Sequence, residues 1–177
     1  MKAQKNGFTL IELIIATFIL VFAIVGVYNS FSTVVILTAG SSSRFTAVYL
    51  AQEGIEIVRN IRDNNWLNGR NWKTGLSDTN KDCSSGCEAD YKTGTSADTR
   101  LGLTLFGNNG NYLNIKDSVF YSYENTGVFL PTKFKRKIVI TPDAINPDVL
   151  KVYVLVTWQE KDEVFNMEAE EYLYNWY

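Results

Sequence analysis

The chain has 177 residues, of which 46% are apolar and 20% are charged, values typical of a folded protein rather than a disordered one. Its net charge of −2, from 17 basic and 19 acidic residues, argues against a globally basic nucleic-acid-binding protein. The sequence contains no histidine, which excludes Ser-His-Asp and Cys-His catalysis and the zinc sites that need imidazole. It also lacks the glycine-rich phosphate-binding motifs GxGxxG and GxxxxGK(S/T).

An uncharged, apolar segment dominates the N-terminal part of the chain. No charged residue occurs between Glu12 and Arg44, and the positions 13–37 are mostly apolar. This run is longer than the roughly 20 residues that a helix needs to cross a bilayer. Lys2 and Lys5 precede it, and positive charge before a membrane helix keeps that end in the cytoplasm. The sequence therefore predicts one membrane-spanning helix over residues 13–37 with a cytoplasmic N-terminus.

Glu12 is an unusual residue for the start of such a helix. A carboxylate in a membrane helix costs about 2.5–3.5 kcal/mol at the bilayer centre and less near the edge. One interpretation is that the side chain reaches to the lipid headgroups. The other is that cleavage after Gly7 frees an α-amine on Phe8, which pairs with Glu12 of the same chain or of a neighbouring subunit.

The segment Gly7-Phe8-Thr9-Leu10-Ile11-Glu12, followed by the apolar run, resembles the type III signal sequence of type IV pilins and type II secretion pseudopilins. The resemblance is close over residues 1–30 and is one of layout beyond them. It implies that a prepilin peptidase removes residues 1–7 as a leader and methylates the new amine of Phe8. It also implies that Glu12 helps subunits to join a filament through the amine of an adjacent subunit.

Two further observations bear on this resemblance. Many major pilins carry a proline about 20 residues into the helix, whereas Gly26 and Asn29 stand in that region here, which favours a minor pilin or a pseudopilin. The alternative to the pilin interpretation is an uncleaved signal anchor that holds an extracellular domain in the membrane.

The helical pattern continues beyond the apolar run, over residues 38–63. Gly40 and the serines at 41–43 weaken the pattern and predict a bend or a melted turn there. The helix is expected to end at Asp63. The apolar stripe that would face a folded domain consists of Phe45, Val48, Ala51, Ile55 and Val58, extended by Ile57 and Ile61.

The rest of the chain predicts a loop and then a sheet. Residues 64–100 show no periodicity and are rich in Gly, Asn, Ser, Thr and Asp, which predicts a long surface loop. Residues 101–177 contain alternating segments typical of strands, and Asn109-Gly110 predicts a hairpin turn between two of them. The predicted fold class is α+β, with a long N-terminal helix, its first half transmembrane, packed on a C-terminal antiparallel sheet. The pilin resemblance implies the same fold.

Cys83 and Cys87 are the only cysteines. If the domain lies outside the cytoplasmic membrane, they are expected to form a disulfide that closes a very short loop. Free thiols are the alternative. A thiolate metal pair is a poor rival, since the sequence offers neither histidine nor further cysteines.

Asp78, Asn80 and Asp82 have the D-x-N-x-D spacing with which calcium loops begin. The continuation departs from that pattern, because Cys83 stands at the position of the turning glycine and Ala89 at that of the final glutamate. These three residues are therefore weak calcium candidates, the simpler interpretation is a polar turn, and no metal or other cofactor is expected.

Lys133, Lys135, Arg136 and Lys137 place four cations on one predicted strand. DNA binding is one interpretation of this cluster. The favoured interpretation is pairing with an acidic C-terminal stretch on another strand of the same sheet. Among the tryptophans, Trp66 and Trp158 are predicted to be core residues, whereas Trp72, in the polar loop, is the better candidate for a contact with a partner.

These observations favour a structural subunit over an enzyme. The resemblance implies a prepilin peptidase and other pilin or pseudopilin subunits as partners. It also implies a single-pass position in the cytoplasmic membrane before assembly and a periplasmic or cell-surface filament afterwards. The alternatives are a pilus-associated binding module, for adhesion or DNA uptake, and a membrane-anchored extracellular domain. Carboxylate pairs that would support hydrolysis do not stand out from the other acidic residues.

Overall fold

The computed structural model describes Gly7 and residues 9–78, 81–94 and 102–175. Within these residues the chain forms one long α-helix followed by nine β-strands, and it divides into two units, residues 1–43 and 44–177. The helix α1 covers Leu10–Leu67. The strands are β1 Ser77–Asp78, β2 Lys81–Asp82, β3 Cys87–Glu88, β4 Thr104–Leu105, β5 Tyr112–Lys116, β6 Phe120–Ser122, β7 Leu130–Pro142, β8 Val149–Glu160 and β9 Glu163–Tyr174. The α+β arrangement that the sequence predicts, a long N-terminal helix and a C-terminal antiparallel sheet, is confirmed.

The first unit consists of the N-terminal part of α1. Every Leu, Ile, Val, Phe and Tyr side chain from Leu10 to Val35 is more than half exposed. By length and composition, α1 is the one helix in the described part of the chain that can cross a membrane. A helix that is apolar on all sides needs an apolar environment on all sides. The 25 residues of the predicted span cover about 37 Å at 1.5 Å per residue, which is enough for the roughly 30 Å hydrocarbon core.

Serine and threonine side chains in this part of α1 satisfy their own hydrogen bonds. Each hydroxyl donates to a backbone carbonyl one turn earlier, so that it exposes no unsatisfied donor to lipid. The distances are 3.0 Å from Thr17 to Leu13, 3.0 Å from Ser30 to Gly26, 3.1 Å from Thr33 to Asn29 and 2.8 Å from Thr38 to Val34.

The second unit is built on an antiparallel sheet around the long strand β7. β8 pairs with β7 along residues 134–142, and β9 pairs with β8 along its whole length and forms one border of the sheet. β5 and β3 pair with β7 along its opposite edge, and they are followed outwards by β6 and β4 respectively. A separate two-stranded ribbon consists of β1 and β2.

One face of this sheet packs against residues 44–67 of α1. Side chains alternate between the two faces of a strand, and the even-numbered residues of β7 and β8, from Phe134 to Ile140 and from Leu150 to Trp158, are buried. They share a core with Leu50, Val58 and Ile61 of the helix. The helix approaches the sheet most closely at Gly54, where an added Cβ would lie 3.0 Å from Val154 Cγ1 and 3.2 Å from Arg136 Cδ.

The helix differs in two respects from the sequence prediction. It ends at Leu67 instead of Asp63, and the segment Gly40 to Ser43 is helical, so that the melted turn, one of the two expectations for this segment, is not found. The three serines and the single glycine lower the helix propensity of this segment only modestly. Consistent helical residues on both sides are therefore enough to carry the hydrogen-bond ladder through it.

Residues 64–100, predicted as a surface loop, contribute to the fold. This segment includes β1, β2 and β3, and it buries Trp72, Leu76 and Ala89 in the core. Its strands have two residues each, which is too short to produce an alternating pattern. The predicted position on the surface is therefore wrong for these buried residues, whereas Ser84, Ser85 and Lys92 of the same segment are exposed.

The predicted hairpin turn at Asn109-Gly110 is also wrong as a strand connection. β4 pairs with β3 and not with β5, so the segment around Gly110 is a loop between non-neighbouring strands. The tight hairpin lies instead between β5 and β6, where Asp117 and Ser118 have φ values of 51° and 59°. Turns with two positive φ values match the twist of the flanking strands, and Asp tolerates this conformation better than most residues.

Candidate processing and assembly site

The start of α1 is fixed by a cap on Thr9. The backbone N–H of Glu12 donates to Thr9 Oγ1 at 3.4 Å, and the N–H of Leu13 donates to the Thr9 carbonyl at 3.2 Å. Thr9 and Glu12 have the T-x-x-E spacing of a capping box. This spacing is visible in the sequence, but neither interpretation of Glu12 given above considers it. The helix consequently starts two residues after the bond between Gly7 and Phe8.

Gly7 precedes the helix and is exposed. A Cβ added at this position would meet nothing within 4 Å. The fold of the chain itself therefore does not require a glycine here, and a requirement for glycine would have to come from a protein that binds the segment. Phe8, the predicted site of methylation, and residues 1–6 of the predicted leader lie outside the described residues.

Glu12 lies in the first turn of α1 and its side chain is exposed. An acidic side chain is stabilising at this end of a helix, where the first backbone N–H groups give a partial positive charge. Among the residues that the structure describes, no cation contacts its carboxylate. The helix terminus therefore accounts for part of the placement of Glu12 and leaves its carboxylate available to a partner from another molecule.

Cys83 and Cys87 form a disulfide bond and are completely buried, as the sequence predicts for an exported domain. The carbonyl of Cys83 accepts hydrogen bonds from the N–H groups of Ile140 and Gly86, each at 3.1 Å. β3 begins at Cys87, which pairs with Ile138 of β7. The disulfide therefore closes the 83–87 loop, and the backbone contacts of Cys83 and Cys87 attach this loop to the central strand of the sheet.

The weak calcium candidates lie at the ribbon of β1 and β2. The carboxylate of Asp82 accepts the backbone N–H of Ser84 at 2.8 Å, and this hydrogen bond lowers the pKa of Asp82. Asp78 pairs with Lys81 in the strand register, and Asn80 lies outside the described residues. No cluster of three or more potential metal-ligating side chains occurs in the described part of the chain. The carboxylate of Asp82 thus has a structural partner at the entrance to the disulfide loop.

The four cations of residues 133–137 do not form one surface. Arg136 points to the core and is completely buried. Lys133, Lys135 and Lys137 lie on the opposite face of β7. Of these three, Lys133 bonds to Glu160 at 2.6 Å, so the predicted pairing with the acidic C-terminal stretch holds for this residue.

Arg136 instead joins three parts of the second unit. Its Nη1 donates to the Leu50 carbonyl at 2.9 Å and to Glu53 Oε2 at 2.6 Å, both on α1, and its Nη2 donates to the Ala89 carbonyl at 2.5 Å. Sequence analysis missed this role, because it grouped Arg136 with the three lysines of the same strand as one cluster of cations, although alternation places residue 136 on the opposite face.

Of the three tryptophan predictions, two are confirmed and one is wrong. Trp158 is buried, as predicted, and Trp66 packs against the core. Trp72, predicted as a contact residue, is only 5% exposed, and its ring centroid lies 6.5 Å from that of Trp66. The prediction for Trp72 is therefore wrong, since the polar residues around it conceal a core position.

Comparison with known protein families found a match that includes this site. Residues 2–28 match the family model described as "Prokaryotic N-terminal methylation motif". No match was found among curated proteins or among solved structures. The matched segment contains Gly7, the Thr9 cap and Glu12, and it extends into the apolar part of α1.

Proposed function

Because the chain carries the prokaryotic N-terminal methylation motif of prepilins over residues 2–28, we propose that it is a prepilin. In this proposal a prepilin peptidase cleaves the bond after Gly7 and methylates the amine of Phe8. The mature subunit then joins a type IV pilus or a type II secretion pseudopilus. The motif is typical of structural subunits and not of enzymes.

The observation that carries this proposal is the position of the motif relative to α1. The bond to be cleaved lies just before a capped helix start, on an exposed glycine that the fold itself does not require. A peptidase at the cytoplasmic membrane surface can bind such a segment without unwinding the helix. The exposed apolar side chains that follow provide a membrane anchor before assembly, and after it a surface for neighbouring helices.

The proposed position in the cell follows from charge and hydropathy. Lys2 and Lys5 hold the leader in the cytoplasm, and the second unit lies on the other side of the membrane. The Cys83–Cys87 disulfide supports this orientation, because disulfides persist mainly in oxidising compartments.

Intact-mass analysis of the protein from its native host tests the proposal. The expected product has 170 residues, begins at Phe8 and carries an added methyl group. Loss of Lys2 and Lys5 from the 17 basic residues changes the net charge from −2 to −4. A chain that still carries residues 1–7, in cells with an active prepilin peptidase, would contradict the proposal and favour the uncleaved signal anchor.

A pair of glycine variants tests whether the prepilin peptidase recognises Gly7. Neither Gly7 nor Gly26 has any atom within 4 Å of an added Cβ, so neither substitution creates a clash within the chain. Gly7→Val is expected to abolish cleavage, whereas Gly26→Val is expected to be processed normally. Cleavage of the Gly7→Val variant at the wild-type rate would mean that another enzyme removes the leader.

A further inference from the structure

A groove opens on the face of the sheet that α1 does not cover. It has a volume of about 420 Å³ and lies between the loop 106–112 and the ends of β7, β8 and β9. Volumes of roughly 300–1,000 Å³ are typical of small-molecule sites. The ring of Tyr112, which is 52% exposed, forms part of its wall.

The loop that forms the rim of the groove is held in place by hydrogen bonds to the sheet and by a turn at a glycine. Glu88, which is 2% exposed, accepts the backbone N–H of Asn111 at 2.6 Å and its side-chain amide at 2.7 Å. Lys135 Nζ donates to the Asn109 carbonyl at 2.9 Å and lies 4.4 Å from the centroid of the Tyr112 ring. Gly110 has φ of 61°, and a Cβ there would collide with the ring of Phe106. The groove is therefore formed before any ligand binds, which lowers the cost of binding.

The groove carries an uncompensated positive charge. Its ten lining residues include two lysines and no aspartate or glutamate. The charge of Lys133 is compensated by Glu160. Lys135 contacts only a carbonyl and an aromatic ring, and no carboxylate pairs with it among the described residues. The groove thus offers one cation for one negative group of a ligand.

The same face of the sheet is unfavourable for a polyanion. Lys137 of β7 pairs with Leu155 of β8, and Leu155 pairs with Glu168 of β9. Paired residues lie on the same face of a sheet, so Glu168 lies on the face of the lysines, two strand spacings or about 10 Å from Lys137. Glu170 follows on the same side of β9. A nucleic acid that lay across this face would bring its phosphates close to these carboxylates. A small ligand with a single charge avoids them.

The geometry points to a binding site for an acidic saccharide, a sugar ring that carries a carboxylate. The apolar C–H face of a sugar packs on exposed aromatic surface, which Tyr112 provides. Its hydroxyl groups exchange hydrogen bonds with amide and hydroxyl side chains, here those of Asn108, Gln159 and Thr157. Its carboxylate forms a charge-assisted hydrogen bond with Lys135. This binding role is additional to assembly and needs neither cleavage nor filament formation.

Calorimetric titration of the full chain in detergent micelles with galacturonate, a sugar ring with one carboxylate, tests the site. We expect saturable binding and at least tenfold weaker binding to galactose, the neutral probe. Lys135→Gln keeps a hydrogen-bond donor but removes the charge, and Tyr112→Ala removes the aromatic wall. Each is expected to weaken binding of galacturonate at least tenfold. Lys151→Gln is the matched control, since Lys151 lies on the same face outside the groove and pairs with Glu170, and it is expected to bind as the wild type does.

Three results would overturn the inference. The first is the absence of saturable binding to the wild-type chain. The second is binding that Lys135→Gln and Tyr112→Ala leave unchanged while the variants unfold at the wild-type temperature. The third is a short DNA duplex that binds through the same two residues more tightly than galacturonate does, which would assign the surface to nucleic acid. Each result leaves the proposed cleavage untouched, because the titration uses the uncleaved chain.

Discussion

The two units of this chain differ in where their apolar side chains find contacts. In residues 44–177 the large apolar residues of α1, β7 and β8 bury one another, and the chain supplies both sides of the core. In residues 10–35 every large apolar side chain is more than half exposed. The same residue types thus stabilise the second unit from within. In the first unit these side chains are exposed, and contacts with lipid or with other subunits are needed to cover them.

The polar groups show the same contrast. Arg136 and Glu88 in the second unit are buried, and each is bonded to a partner far away in the sequence. In the first unit the hydroxyls of Thr17 and Ser30 bond to carbonyls of their own helix. Glu12 is the exception, because its carboxylate contacts no cation in the described part of the chain. Substitutions in the first unit should therefore affect assembly, and those in the second should affect folding.

The largest effect is expected for Glu12→Val. If Glu12 pairs with the Phe8 amine of a neighbour, its loss leaves that amine unpaired in an apolar layer, at a cost of roughly 3–5 kcal/mol. Each 1.4 kcal/mol is tenfold in an equilibrium constant, so subunit addition should become more than about a hundredfold less favourable. The amount of this subunit in sheared filaments, compared with that in the membrane fraction, measures the effect.

Two controls accompany the Glu12 variant. Cleavage after Gly7 should be largely spared, because Glu12 lies beyond the cut bond, and the unfolding temperature of the second unit should not change. If Glu12 only reaches to the headgroups, removal of the carboxylate makes the helix more favourable in lipid and nothing else changes. Normal incorporation of Glu12→Val would therefore exclude the pairing mechanism while leaving the cleavage proposal standing.

Arg136→Met should have the largest effect on folding. Methionine fills part of the volume, but Glu53 loses its ionic partner and the carbonyls of Leu50 and Ala89 lose their donors. Breaking a buried ion pair by removing one partner typically costs about 3–5 kcal/mol, and because the Glu53 side chain is 31% exposed we expect a loss near the lower end of this range. Denaturant unfolding of the full chain in micelles, with Lys135→Gln as the control on the other face of β7, measures the loss. A change below about 1 kcal/mol, the net worth of an ordinary hydrogen bond, would mean that the three partners find other contacts.

A matched pair of glycine substitutions compares the two units directly. Gly54→Val places a branched side chain against Val154 and Arg136, and overpacking of this kind typically costs about 1–3 kcal/mol. Gly26→Val meets nothing within 4 Å and should leave the unfolding of the second unit unchanged. Equal unfolding free energies for the two variants would show that α1 does not approach the sheet closely at Gly54. A filament defect in Gly26→Val alone would identify Gly26 as a contact between subunits.

Long and regular elements were predictable from the sequence. The apolar run, its continuation as a helix and the alternating strands each repeat a pattern over ten or more residues, so that a single deviation does not hide them. The motif at Gly7 and Glu12 was equally visible, because its residue types and spacing are local. The disulfide followed from the count of two cysteines and the expected compartment.

Other features depend on contacts between distant segments. The sheet position of Cys87 is decided by its pairing with Ile138 of β7, about 50 residues later, and no local pattern predicts it. Phe45 belongs to the predicted apolar stripe but is mostly exposed, because the close approach at Gly54 sets which side of the helix faces the sheet. The groove at Tyr112 and Lys135 was missed for the same reason, since the loop 106–112 and the end of β9 meet only in the folded sheet.

The smallest effect is expected at the exposed pair of Lys151 and Glu170, 2.9 Å apart on the outer face of the sheet. The hydrogen bond from Lys151, and then that from Tyr172, lowers the pKa of Glu170 below its ordinary value of 4.5. Because the pKa is lowered in the folded state, the contribution of Glu170 to stability is present above pH 4.5 and is lost as the pH falls through the lowered pKa. In Lys151→Gln the pKa of Glu170, followed by NMR titration of its carboxyl carbon, should rise towards 4.5 without reaching it, since Tyr172 still donates.

The fall in unfolding free energy between pH 6 and pH 3 should become slightly smaller in Lys151→Gln. Salt at 1 M should reduce the difference between variant and wild type, because both side chains are exposed to screening. An unchanged pKa of Glu170 in the variant would mean that Lys151 does not hold the carboxylate in solution, and that the outer face of this unit, unlike its core, has no fixed ion pair at this position.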